Sequence, residues 1–184
     1  MDEIVKAALR KWPNVPHCHG WLALDLRGDW YMRDERIQRA GPFPRVKGSR
    51  IEHPKLREFI HRNYARDDDG AWFFQNGPQR VYVQLEAAPF VWRVRVTGPG
   101  AVEVHAHTGA PAAVRSSWID EQGRLYLDTD LGFGVVHSMD IGDAAEAVEA
   151  GAWLPQEVQA ADLPARFGFV RDPRPRADGP LAQA

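Results

Sequence analysis

Two short patterns, His17-x-His19 and His105-x-His107, set imidazoles at alternate positions. On a strand, residues i and i+2 share a face, so each pair can offer two nitrogens to one metal ion. Four imidazoles, or three with the Cys18 thiolate or a carboxylate, would suit a transition metal such as zinc, copper or nickel. No H-E-x-x-H or C-x-x-C accompanies them, and an extended chain turns Cys18 away from both neighbours. A metal-binding protein or metal-dependent enzyme built on His17, His19, His105 and His107 is therefore the alternative reading.

The second cluster is basic. Arg45, Lys47 and Arg50 surround Gly48-Ser49, with Lys55 and Arg57 close behind and a helix start near Pro54. Glycine backbone and helix N-termini receive phosphate or carboxylate readily. The order Lys-Gly-Ser is not that of a P-loop. The competing reading is a solvated loop that pairs with the acidic Asp67–Asp69 corner. Charge is unevenly spread: residues 1–66 hold 14 Lys/Arg against 8 Asp/Glu, and residues 67–165 hold 5 against 15. Such a basic third can attract an anion, or simply the acidic remainder of its own chain. A pI near 6.4 and the lack of a stacking motif argue against nucleic acid.

Acid–base chemistry has the residue types but not the arrangement. Ser49 with His53 or His61, and Asp128, Asp130 or Asp140, carry no G-x-S-x-G or comparable nucleophile motif. Cys18 lies between two histidines, but a nucleophile and its base are seldom sequence neighbours. No catalytic residue and no cofactor is assigned. The leading expectation is a non-enzymatic binding or interaction module for a small anionic ligand or a protein partner. Its surface would be the basic loop Arg45, Lys47, Ser49, Arg50 and a hairpin tip Gln75, Asn76, Arg80.

The elements that must position these groups read as α+β, mainly antiparallel hairpins forming a β-meander, with a helix inserted over 54–64. Asp2 to Lys11 spaces Ile4, Val5, Ala8 and Leu9 as a short amphipathic helix with Asp2 as cap, ended by Trp12-Pro13. Leu56, Phe59, Ile60 and Tyr64 mark one face of the inserted helix. A third short helix is predicted over 143–150, capped by Asp143 and stopped by Gly151. Strands are predicted over 21–25, 30–32, 71–75, 80–85, 90–96, 102–107, 114–119 and 125–128. Asn76-Gly77 is the strongest hairpin signal. Trp72 and Phe74 fall on one face of their strand and Phe73 on the other, so that strand is expected inside, beneath the inserted helix. An Asp-x-x-Gly-x-[Trp/Leu]-[Tyr/Phe] pattern starts at Asp25, Asp67 and Asp120, at unequal spacings of 42 and 53 residues. Aspartate can hold the backbone two residues on, and glycine takes the positive φ that closes such a turn.

The 184-residue chain is 44% hydrophobic and 26% charged, a globular balance. It suits one domain over 1–170, or two β-rich subdomains of about 1–97 and 98–170, with a disordered tail over 171–184. No run reaches the roughly 18 apolar residues of a membrane span, and the N-terminus lacks the apolar region of a secretory leader. A single cysteine fits a reducing cytoplasm.

Lys11-Trp12-Pro13-Asn14-Val15-Pro16, Gly48-Ser49 with His53, the F-I-H-R-N-Y helix end and W-F-F-Q-N-G-P-Q-R-V-Y-V together resemble an uncharacterised proteobacterial family of unknown function. The resemblance runs from about Lys11 to His107 and takes in the His107-Thr108-Gly109 turn. D-x-x-G-x-W, a hairpin and then A-P-F are similar to a second such family. What the first resemblance implies is a bacterial cytosolic protein; it brings no activity, cofactor or catalytic residue.

Overall fold

The structure is a computed structural model that describes residues 1–98 and 100–175. Two six-stranded sheets form its frame. The first contains β1 (Cys18–Leu24), β2 (Trp30–Met32), β3 (Ser49–Arg50), β4 (Tyr64–Arg66), β5 (Trp72–Asn76) and β6 (Gln79–Leu85), in the order β3-β2-β1-β6-β5-β4. The second contains β7 (Phe90–Gly98), β8 (Ala101–Ala106), β9 (Val114–Asp120), β10 (Leu125–Thr129), β11 (Phe133–Val136) and β12 (Gln156–Val158), in the order β12-β9-β10-β11-β7-β8. Helices α1 (Glu3–Lys11), α2 (Glu35–Ala40), α3 (Pro54–Arg62), α4 (Ile141–Glu149) and α5 (Leu163–Phe167) complete it.

The α+β class stands, but the sheets are mixed rather than a pure antiparallel meander. β1 lies parallel to β6, β7 to β11 and β9 to β12. Parallel neighbours need long crossovers, and the hairpins intervening between β1 and β6 supply one.

The three Asp-x-x-Gly turns share one hydrogen-bond plan. In each, the aspartate N–H donates to the carbonyl four residues on, and the glycine N–H donates back to the aspartate carbonyl. One carboxylate oxygen accepts the backbone N–H groups two and four residues on, at 2.8–3.1 Å. Gly28, Gly70 and Gly123 have φ of 78°, 85° and 75°, open to glycine at little cost. The turns join β1 to β2, β4 to β5 and β9 to β10. The second oxygen differs: Asp25 takes Lys47 Nζ (2.8 Å), Asp67 the Tyr82 hydroxyl (3.0 Å) and Asp120 the Tyr126 hydroxyl (2.9 Å). Each turn is thereby tied to a side chain outside its own loop.

The aromatic hairpin is interior, as its pattern requires. Trp72 and Phe74 enter the main core, where Phe59 of α3 meets Phe74 edge-on at 5.4 Å. Phe73 packs on the opposite face with Tyr82, beneath the Arg80 guanidinium at 4.4 Å. Burying each large ring contributes about 2–3 kcal/mol. Two predicted caps are corrected. Asp2 makes no side-chain cap bond to α1 and instead meets Arg62 and Asn63 across the chain. Asp143 lies inside the first turn of α4, whose N-cap position is Asp140. Tyr64, read as the end of the inserted helix, begins β4.

Candidate functional site, an arginine-lined cleft

A cleft of about 700 Å³ opens beside the first sheet, bounded by the 41–44 loop, the end of β6 and the segment 171–175. Its central cation is Arg33, the first residue after β2. The Arg33 N–H donates to the Trp21 carbonyl (2.9 Å), which fixes its backbone to β1, and Asp34 then caps α2 through the Ile37 N–H (2.9 Å). Gly48, at φ 101°, lets the returning loop close over this corner: a Cβ there would meet the Met32 carbonyl at 2.5 Å.

Arg33 is 2% exposed. Its Nη1 donates to Gln84 Oε1 and its Nη2 to the Gly41 carbonyl (2.7 Å), while its Nε is buried and has no partner among the described residues. Both acceptors are neutral, and among the described residues no carboxylate is within ion-pair distance of it. Burial pulls the Arg33 pKa below the ordinary arginine value, with Asp172 opposing, yet a guanidinium keeps its proton in proteins. A buried charge is costly unless paired. The nearest counter-charge is one step removed: Gln84 Nε2 donates to Asp172 Oδ1 (2.7 Å), and Asp172 in turn pairs with Arg174.

The residues picked out by sequence are distributed differently. Lys47 is occupied, bridging Asp25 (2.8 Å) and Glu86 (3.2 Å). Arg50 pairs with Asp29 (3.3 Å) and Glu52 (3.8 Å). The loop thus meets carboxylates of the first turn, of Glu86 just past β6 and of its own flank, and not the Asp67–Asp69 corner. Arg45 and Ser49 are exposed. At the hairpin tip, Gln75 was expected to be exposed but is 1% exposed, donating to the Gly77 carbonyl (2.9 Å). Asn76 is exposed, and Arg80 lies over Phe73. β1 and β2 separate β3 from β6, so loop and tip are not one surface.

The histidine pairs are also apart. His19 stacks on Tyr82 at 4.5 Å and His17 meets the same ring edge-on at 6.0 Å. His105 pairs with Arg93 across β7–β8. His107 turns inward beside His61 and Trp30, both 5.7 Å away ring to ring. Its Nδ1 accepts from the Val91 N–H (3.2 Å), its Nε2 is buried without a partner among the described residues, and burial, with His61 nearby, pushes its pKa down to about 3. Among the described residues no group of three or more His, Cys, Asp or Glu could hold a metal ion, so the metal alternative is not favoured.

A family model, DUF2944, described as "Protein of unknown function (DUF2946)", matches residues 1–174. The chain belongs to this family. Two crystal structures titled as DUF1285 family proteins are similar in fold, both with TM-score 0.48. One is from Shewanella baltica OS155, at 16% identity over 69% of this chain and 91% of that one. The other is from Silicibacter pomeroyi DSS-3, at 15% identity over 79% of this chain and 84% of that one. No curated protein matches the chain significantly. Family membership supplies no activity, so function is argued from the cleft. Among the described residues no helix is long and apolar enough to cross a membrane.

Proposed function

We propose that this family member is a binding module for a small anionic ligand, received in the Arg33 cleft, and that it works in a bacterial cytosol. The observation that carries the reading is a guanidinium 2% exposed that lines a cleft of about 700 Å³ and, among the described residues, has only neutral acceptors. An arriving carboxylate or phosphate would supply the missing counter-charge, and arginine's planar fork suits either group. Because arginine retains its proton, the central group of the cleft holds and orients charge and transfers no proton. This moves the anion site away from Arg45, Lys47 and Arg50, two of which already have carboxylates. The lone cysteine supports the cytosolic placement.

The test is ligand-induced stabilisation. At constant ionic strength, succinate and inorganic phosphate are titrated against the full chain while its melting temperature is followed. A ligand at 100 times its Kd stabilises by about 2.7 kcal/mol, which for this size raises Tm by about 5–10 °C. No shift with either anion up to tens of millimolar would remove the reading.

A further inference from the structure

The segment Arg171–Pro175 reads from sequence as the start of a disordered tail, yet it forms one wall of the cleft; residues 176–184 lie outside the described residues. Arg171 is its anchor. Its carbonyl accepts from the Leu85 N–H (2.8 Å), and its Nη2 donates to the Ala160 carbonyl (2.9 Å). Beyond it Pro173 is buried, while Asp172, Arg174 and Pro175 are exposed. Asp172 is thus a carboxylate on a short tether, hinged at a fixed residue, whose Oδ1 accepts the outward N–H of the amide that caps Arg33.

Resting on the Arg33 reading, we propose that Asp172 is a tethered stand-in for the ligand, and that the ligand class is a small carboxylate which displaces it from Gln84. Two observations lead there. The group the chain itself sets opposite the Arg33–Gln84 pair is a carboxylate, one oxygen on Gln84 and the other turned to Arg174. Arg33 is also too covered to be touched while the strap and the 41–44 loop stay in place: its Nε lines no open surface. A ligand therefore reaches the guanidinium only as part of its cover swings away, and Asp172–Pro175 is the part held by one side-chain hydrogen bond and one buried proline.

Succinate and inorganic phosphate are titrated calorimetrically into three full-length chains: wild type, Asp172→Ala and Arg33→Gln. A strap closed nine-tenths of the time lowers apparent affinity about tenfold, so Asp172→Ala is expected to bind succinate about tenfold more tightly than wild type. Equal succinate affinity in wild type and Asp172→Ala, with binding lost in Arg33→Gln, overturns the strap and leaves the Arg33 cleft standing. Weaker binding in Asp172→Ala also overturns it, since Asp172 would then be part of the receptor. Binding of phosphate without succinate overturns the carboxylate class. Silence of both anions in wild type and Asp172→Ala overturns the cleft itself, and the strap with it.

Discussion

Lys47 and Arg33 are fourteen positions apart and both are drawn into the body of the first sheet, yet their surroundings are opposite. Lys47 bridges two carboxylates, one of them Asp25 with a side chain 1% exposed, and the Lys47 Nζ lies over the Tyr31 ring. Arg33 has a glutamine and a backbone carbonyl. Burial, the largest influence on Asp25, works against its ionisation; the Lys47 ammonium and the Asp29 and Arg27 N–H groups outweigh it and hold its pKa below the usual value. Among the described residues nothing comparable compensates Arg33. A run of basic residues marks where charge is dense, whereas a binding site is marked by charge left uncompensated. His107 shows the other escape from the same problem: a buried base without an anion can stay neutral, which arginine cannot do.

The largest expected effect lies with that imidazole. With an ordinary value of 6.5 in the unfolded chain and about 3 when folded, His107 makes the unfolded state bind more protons between those values, so stability falls as pH falls through that window. The loss approaches about 4–5 kcal/mol near pH 3. Urea midpoints from pH 7 to 3 check it, and His107→Gln should flatten the decline. Asp25, with its depressed pKa, adds a further loss below about 3.8 that His107→Gln does not remove.

Next in size is the satisfied cluster. Asp25→Ala orphans two turn amides and leaves half-exposed Lys47 with Glu86 alone, and should cost about 2–3 kcal/mol in urea unfolding. Arg33→Gln should cost less, about 1–2 kcal/mol, because it deletes a buried charge whose desolvation was never repaid. If Arg33→Gln proved the more damaging of the two, the contrast between the regions would fail. Smallest is Arg50→Ala, expected within about 0.5 kcal/mol because its ion pairs are exposed.

Strongly patterned elements were legible in the sequence: α1, α3, the Trp72–Leu85 hairpin and the Asp-x-x-Gly turns declare themselves through local chemistry. What was missed depends on partners far along the chain. β11 is four residues with glycine in second place, poor strand material; Gly134 is needed because a Cβ would lie 2.4 Å from Trp92 Nε1. β3, β4 and β12 are two or three residues long and exist by virtue of their neighbours. α2 carried one usable signal, Asp34 before a helix-forming run. The cleft carried none. Arg33 lies in M-R-D-E-R without a motif, and its burial comes from Gly41, Gln84 and the 171–175 segment together.

The most direct test sets the cleft against the loop that sequence favours. Succinate and inorganic phosphate are titrated by calorimetry into wild type, Arg33→Gln, and a double variant Arg45→Ala with Arg50→Ala, all first shown to be folded. Arg33 as the anion-holding group predicts heat of binding in wild type, its loss in Arg33→Gln, and an affinity within about threefold of wild type in the double variant, where only exposed charges are removed. Binding that survives Arg33→Gln and disappears from the double variant would contradict the account and return the site to the basic loop.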